Sequence, residues 1–233
     1  MLIFDKIRNC VSMVRRRNLL NKNVKRRPTV RMGNSYGGFE VAAGKLDKEG
    51  AIVYSFGIGE DLSFSEDIIK RFDARVYAYD PTPKSIRYVE KSDLIKSGRL
   101  YFKPYGLSDK NEKEMFYLPV NDDWVSGSSV ITRDKKETGI EVSMQDIFTC
   151  MDENGHDRID VLKMDIEGSE FKVIDAWTPG RMPHADQICI EVHDRFFDDG
   201  YDKLSGLLKK LDELGYELIS VSDTYEELTF CSR

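Results

Sequence analysis

The stretch AIVYSFGIGED at residues 51–61, read together with RVYAYD at residues 75–80, decides the fold. An apolar run ends in the glycine pair Gly57 and Gly59, a helical pattern follows, and a second apolar run ends in Asp80. Glycine after a first strand lets the backbone approach a ligand closely, because no Cβ stands in the way. An acid that ends the next strand can accept hydrogen bonds from both hydroxyls of a ribose. Gly59 and Asp80 lie 21 positions apart, which suits one strand–helix–strand unit. The two stretches therefore read as a half-site for an adenosine cofactor.

Two cofactors fit such a half-site. A dinucleotide fingerprint asks for G-x-G-x-x-G, and its third position here is Leu62. Glu60 and Asp61 follow the glycine pair, and two carboxylates at a helix N-terminus repel the pyrophosphate that the helix dipole attracts. They suit instead a ligand that carries an ammonium and a sulfonium, as S-adenosylmethionine does. The alternative is that both acids only cap the helix. The pattern favours S-adenosylmethionine over NAD.

Outward from this unit, strand and helix keep alternating. Further strands are expected at residues 100–106, 159–164 and 188–192, and helices at 64–72, 83–97, 142–150, 169–177 and 201–214. GNSYGG at residues 33–38 is a turn, with a short strand or loop at 39–46. A short strand at 115–119 and a loop at 121–138 carrying Trp124 and SGSS interrupt the series. Two closing strands, 217–222 and 228–231, are separated by a short turn and read as an antiparallel hairpin. The expected fold is α/β: a doubly wound, mainly parallel seven-stranded sheet of the class I methyltransferase type, with an antiparallel C-terminal hairpin. In such sheets the ligand sits beyond the carboxyl ends of the strands.

Charge divides the chain. Residues 1–31 hold ten Lys or Arg against Asp5, so a net −6 leaves −15 on the remainder. Phe4, Ile7, Val11 and Val14 recur at helical spacing, so residues 2–17 read as an amphipathic basic helix, followed by RRRNLLNKNVKRR at 15–27. The organisation expected is a basic amphipathic extension over 1–32 and a catalytic domain over 33–233. The extension could dock on the acidic body or on another copy, lie on an acidic membrane surface, or meet nucleic acid. No run approaches the roughly 18 apolar residues of a spanning helix. No secretory leader is evident, because the basic cluster follows the apolar segment. Four scattered cysteines without a C-x-x-C pair suit free thiols in a reducing cytosol. The expected location is cytoplasmic, including the inner face of a membrane.

Two later strand ends carry acids. IDVLKMDIEGSE at residues 159–170 places Asp165 and Glu167 at a strand end and Gly168 at the turn beyond. ICIEVHD at 188–194 puts Glu191 and His193 on one face by period-two alternation, with Asp194 after them. Adjacent parallel strands lie about 4.8 Å apart, so these groups can share one pocket mouth.

SFGIGED, YAYDPTP, GLSD and above all LKMDIEGSE followed by an IEVH strand resemble the FkbM family of S-adenosylmethionine-dependent methyltransferases, over residues 36–221. The resemblance implies O-methylation of a hydroxyl, often of a sugar, glycolipid, polysaccharide or polyketide-derived compound. It places Gly57 and Gly59 against the methionine part of the cofactor, Asp80 on the ribose, and Gly106 and Leu107 beside the adenine. Tyr36, Gly37 and Phe39 fall in a YGGW-like segment that could close over the cofactor or simply form a glycine turn. Asp165 and Glu167 face the methyl donor or the acceptor.

A sugar hydroxyl needs its proton taken before it attacks an activated methyl. His193 or Asp165 is the expected base, with Glu167 and Glu191 orienting acceptor hydroxyls; the ordinary imidazole pKa near 6.5 suits the task. In a competing version, Asp165, Glu191 and His193 bind magnesium, calcium or manganese, which acidifies the hydroxyl. Lys163 should share the face of Asp165 and pair with an acid, while His156 and His184 read as surface residues. Trp124 is either a lid residue that stacks on a sugar or part of an ordinary loop. Two further alternatives stay open: a scaffold that binds the cofactor without transfer, and a nucleic-acid methyltransferase, which the acidic body disfavours.

Overall fold

The computed structural model describes residues 2–46, 50–118, 127–128 and 139–233, with side chains of the first helix from Met13 onward. Trp124 lies outside the described residues. In chain order, helix α1 (Leu2–Asn23) leads into the hairpin β1 (Val30–Met32) and β2 (Phe39–Val41). Then come β3 (Ile52–Phe56), α2 (Ser63–Phe72), β4 (Arg75–Tyr79), α3 (Pro83–Lys91) and β5 (Leu100–Lys103). Three outlying strands follow, β6 (Gly106–Leu107), β7 (Glu112–Phe116) and β8 (Ile140–Gln145), ahead of α4 (Ile147–Asn154). The second half continues with β9 (Ile159–Met164), α5 (Glu170–Asp175), β10 (Ala185–Glu191), α6 (Gly200–Glu213), β11 (Tyr216–Val221) and β12 (Glu227–Ser232).

Seven of these strands form one sheet in the order β11-β12-β10-β9-β3-β4-β5. Neighbours from β10 to β5 run parallel, and β12 pairs antiparallel with both β10 and β11. This is the sheet expected from sequence, with the last strand on the inner side of its hairpin. From β3 the chain winds outward through β4 and β5, then returns to the other side of β3 as β9. The crevice of a doubly wound sheet opens where the winding reverses, beyond the carboxyl ends of β3 and β9.

Burial on both faces explains the apolar strands. Tyr54 of β3 and Leu162 of β9 face a core covered by α4, α5 and α6, whereas Val53 and Val161 face Phe64, Ile68 and Phe72 of α2. Every residue of β9 is buried, including two that carry charge. Asp160 accepts a 2.7 Å hydrogen bond from the Ile52 amide and a 2.8 Å one from Arg158, and Lys163 donates one of 2.8 Å to the Gly57 carbonyl. Pairing of this kind is what makes a buried ionic group tolerable.

Three expectations need correction. Residues 142–145 form the end of β8, not helix: Val142 and Met144 point inward while Glu141 and Ser143 are exposed, a period of two. The helix begins only after Asp146, whose carboxylate caps it by accepting the Thr149 amide at 2.7 Å. Gly106 and Leu107 do not end β5. They pair with β8 in a separate three-stranded sheet, order β6-β8-β7. His156 is half-buried, its Nδ1 2.9 Å from the Tyr54 hydroxyl and its ring edge-on to Tyr77; burial lowers its pKa, whereas His184 is exposed.

The basic extension docks on the acidic body along its second half. Leu20 is buried in the core, the Lys25 amide donates to the Leu218 carbonyl at 2.8 Å, and Lys25 and Arg27 both pair with Glu217. Met13 and Val14 stay exposed. The pairing of β1 with β2 spans the position 32/33 where charge suggested a boundary. Among the described residues no helix is long and apolar enough to cross a membrane. Cys150, Cys189 and Cys231 are free and buried.

Candidate active site

A cleft with about 870 Å³ of empty space, its open mouth included, lies beyond β3, β4 and β9. Its floor is the turn Gly57-Ile58-Gly59. Gly57 has φ +78°, and a Cβ built there would stand 1.7 Å from the Asp165 carbonyl oxygen. The turn is thus locked against the end of β9, and the 2.8 Å hydrogen bond from Lys163 to the Gly57 carbonyl ties it from below. Lys163 also stands 3.7 Å from Asp165, an acid on the face where its partner was expected. Gly59 has open space where a Cβ would go.

Asp80 lies in the cleft wall and is nearly fully engaged. Its Oδ2 accepts the amides of Ile58 (2.8 Å) and Gly59 (3.0 Å), and its Oδ1 accepts the Thr82 amide (2.8 Å) and hydroxyl (2.6 Å). In this structure Asp80 shapes the glycine turn. It does not hold a carboxylate open for a ribose, as the sequence led one to expect. Thr82 Oγ1 also lies 2.8 Å from Ser85 Oγ, so a turn of that hydroxyl would free one acceptor position on Oδ1, which keeps the Thr82 amide.

The remaining cofactor candidates divide. Tyr36 and Gly37 line the mouth, their amides held by Asn34 Oδ1 at 2.7 and 2.8 Å. Phe39 does not reach the cleft: it is buried edge-on against Phe64. Glu60 is exposed at the wall, whereas Asp61 accepts the Ser63 amide at 2.7 Å and caps the start of α2. Gly106 and Leu107 form part of the opposite wall, although their strand belongs to the smaller sheet.

At the far end of the cleft, four carboxylates converge on His193. Its Nε2 lies 3.4 Å from Glu191, 3.8 Å from Glu167 and 3.9 Å from Asp165, and its Nδ1 lies 3.4 Å from Glu170. His193 is 1% exposed and Glu170 0%, whereas Asp165 keeps 27% and lines the cleft with Glu167. Burial alone would discharge the imidazole. The negative charge of Glu170, Glu191 and Glu167 outweighs that and raises its pKa well above the ordinary value, while Nδ1, 3.4 Å from Glu170, makes no aligned hydrogen bond. The expected neutral imidazole, ready to take a proton, does not fit this setting. Burial, set against the nearby imidazolium, also raises the Glu191 carboxyl. The Tyr36 phenol is raised by burial and by the charges of Asp165, Glu191 and Glu167.

Glu170, the last residue of LKMDIEGSE, is fully buried. Its carboxylate accepts the Gly168 amide at 2.9 Å and the His193 amide at 2.7 Å, so it joins the turns after β9 and β10. An acid in the first turn of a helix reads as an ordinary dipole partner; only its depth sets it apart. Glu167 has φ +54°, a conformation costly for a side chain with a Cβ and often kept at functional sites. The donor set closest to a cation site is Asp165, Glu167 and His193, whose ligand atoms lie within 4.8 Å of one another; Glu167 takes the place expected for Glu191.

Comparison with known proteins agrees with this architecture. Residues 40–218 match the family described as Methyltransferase FkbM domain. Methyltransferase-like protein 24 of Homo sapiens is 24% identical over 123 residues, 53% of this chain and 27% of that protein. The chain therefore spans about a quarter of that relative's length. The crystal structure of a methyltransferase FkbM from Methylobacillus flagellatus KT aligns with a TM-score of 0.47 at 14% identity, covering 78% of this chain and 44% of that one. Aeropyrum pernix fibrillarin, crystallised with natively bound S-adenosyl-L-methionine, aligns with a TM-score of 0.41 at 11% identity, covering 80% and 66%.

Proposed function

The chain belongs to the FkbM methyltransferase domain family, and from that premise we propose that it transfers a methyl group from S-adenosylmethionine to a hydroxyl, most simply that of a sugar, glycan or glycolipid. One observation carries the reading: a single cleft holds a glycine-flanked turn pinned by Asp80 and, packed beside it, the acids Asp165 and Glu167. The residues fit the cofactor's parts. Gly59 leaves room for the methionine portion, and Gly57 lets the end of β9 close on the turn. Thr82 can turn its hydroxyl to Ser85 and free one acceptor position on Asp80 Oδ1 for a ribose, with Gly106 and Leu107 at the adenine side. Glu60 and the acids at the far end offer negative charge to an ammonium and a sulfonium.

When bound, the sulfonium supplies an already activated methyl, so the protein's work is alignment and proton removal. Asp165 is the base in this reading. Of the carboxylates in the corner it is the most exposed, and it lines the cleft where an acceptor would lie. Glu167 orients the acceptor hydroxyl from the strained turn beside it. His193, set deeper, holds Asp165 and Glu167 in place through charge and has Glu191 as a further partner at 3.4 Å.

Calorimetry with S-adenosylmethionine, S-adenosylhomocysteine and NAD tests the cofactor; heat with NAD alone would overturn the proposal. With labelled donor, transfer to glycans and none to RNA is the expected division. An Asp165→Asn protein should bind the cofactor but transfer about a hundredfold more slowly. Cofactor binding by wild type without transfer to any hydroxyl acceptor would instead support a scaffold.

The donor atoms of Asp165, Glu167 and His193 favour a second reading, in which one divalent cation binds there and acidifies the hydroxyl. Its oxygen-rich set suits magnesium, calcium or manganese. Manganese bound stoichiometrically in electron paramagnetic resonance, and lost in Glu167→Gln, would support it. Full turnover in EDTA would leave Asp165 as the base without a metal.

A further inference from the structure

We propose that Arg16, in the helix ahead of the family-matched region, is a positioning residue for His193 and thereby makes the basic extension part of the active site. This rests on the reading that the acids around His193 form the catalytic corner. The family match begins at residue 40, so Arg16 lies outside it.

The turn that aims His193 lies beyond the end of β10, where the Val192 amide donates to the Glu226 carbonyl at 2.9 Å and the Phe196 amide to the His193 carbonyl at 3.0 Å. His193 follows the last residue of β10, with φ −104° and ψ 37°, and a short 3-10 turn (Asp194–Phe196) comes next. Three further contacts, one from each of three helices, tie this turn down. From α5, Glu170 accepts the His193 amide at 2.7 Å. From α6, the backbone at Gly200 comes so close that a Cβ there would stand 2.0 Å from the Asp194 carbonyl oxygen. From α1, Arg16 Nη2 reaches 2.9 Å from Asp194 Oδ1 and 3.5 Å from the Val192 carbonyl. Arg16 therefore grips the residues on either side of His193.

This pair is not an ordinary surface contact. The side chains of Arg16 and Asp194 are 14% and 11% exposed. Screening by water, which makes exposed ion pairs weak, is small there. Neither Arg16 Nε nor Asp194 Oδ1 has an aligned hydrogen-bond partner, so charge and proximity hold the pair. Burial raises the Asp194 carboxyl and the Arg16 charge opposes that rise. Leu20, one helical turn further along α1, is buried in the core and anchors the helix that presents Arg16. The basic tract thus has a use beyond general attraction to an acidic body: one of its arginines is set at a functional turn.

The chain contains three histidines, so carbon-labelled imidazole rings can be read one by one in the full-length protein. Arg16→Met should shift both His193 ring cross-peaks and leave those of His156 and His184 in place. Arg16→Lys, which keeps the cation but loses the forked guanidinium, should move them part of the way. Asp194→Asn, which keeps the volume and removes the charge, should reproduce the Arg16→Met shift, and it serves if that variant does not fold. Transfer should slow in both Arg16→Met and Asp194→Asn with unchanged affinity for S-adenosylmethionine. His193 cross-peaks that stay put in folded Arg16→Met and in Asp194→Asn would overturn the proposal. Failure of wild type to bind S-adenosylmethionine would sink the functional reading instead, and the ring spectra would still report on Arg16.

Discussion

A Gly57→Ala protein is expected to give no heat with S-adenosylmethionine and to melt roughly 10 °C below wild type. Two causes add. At φ +78° an L side chain is strained by about 1–2 kcal/mol. The new methyl would also meet the Asp165 carbonyl oxygen at 1.7 Å, a distance no rotamer can relieve because both partners are backbone-fixed. Either the turn or the end of β9 must move. Moving the turn breaks the amide contacts to Asp80; moving the strand end displaces the Asp165 side chain. Differential scanning calorimetry and titration calorimetry check both parts. A Gly57→Ala protein with wild-type melting and affinity would show that this close approach does not build the site. Gly59→Ala is the contrast: space is open there, so its cost is limited to the positive φ and to whatever ligand occupies that space.

Glu170→Ala should cost about 3–5 kcal/mol of stability, because it removes one partner from a buried charge pair. It also leaves the Gly168 and His193 amides without their acceptor, and an orphaned buried donor is itself expensive. Glu170→Gln keeps an oxygen for one of these amides and should lose less, on the order of 1–3 kcal/mol. Urea unfolding of the three proteins measures the series. Equal stability of wild type and Glu170→Ala would mean that the corner relaxes freely, and the account of Glu170 as the link between the two strand-end turns would fall.

Much of this was legible in sequence because the relevant signals are local. The strand–glycine–helix–acid order over residues 51–80 specifies one winding unit, and repetition of apolar runs and helical patterns specifies the sheet. LKMDIEGSE placed two acids at the end of β9, where the structure has them. The misreadings also have local causes. Residues 142–150 hold enough apolar side chains to pass for one helix, yet Asp146 caps a helix that starts behind a strand. Gly106 and Leu107 continue an apolar run, and only pairing with β8, 38 residues further on, takes them out of β5.

The strand–helix order of the central sheet, the position of the glycine turn and the basic character of the first 31 residues follow from the amino-acid sequence alone, because they depend on residue type and short-range period. Which groups meet does not. Whether Asp80 holds a turn or stands free, whether His193 carries a proton, and whether Glu170 and Arg16 act at the site all depend on distances between segments far apart in the chain. Those distances set burial and the local field, and burial and field decide what an ionisable side chain can do.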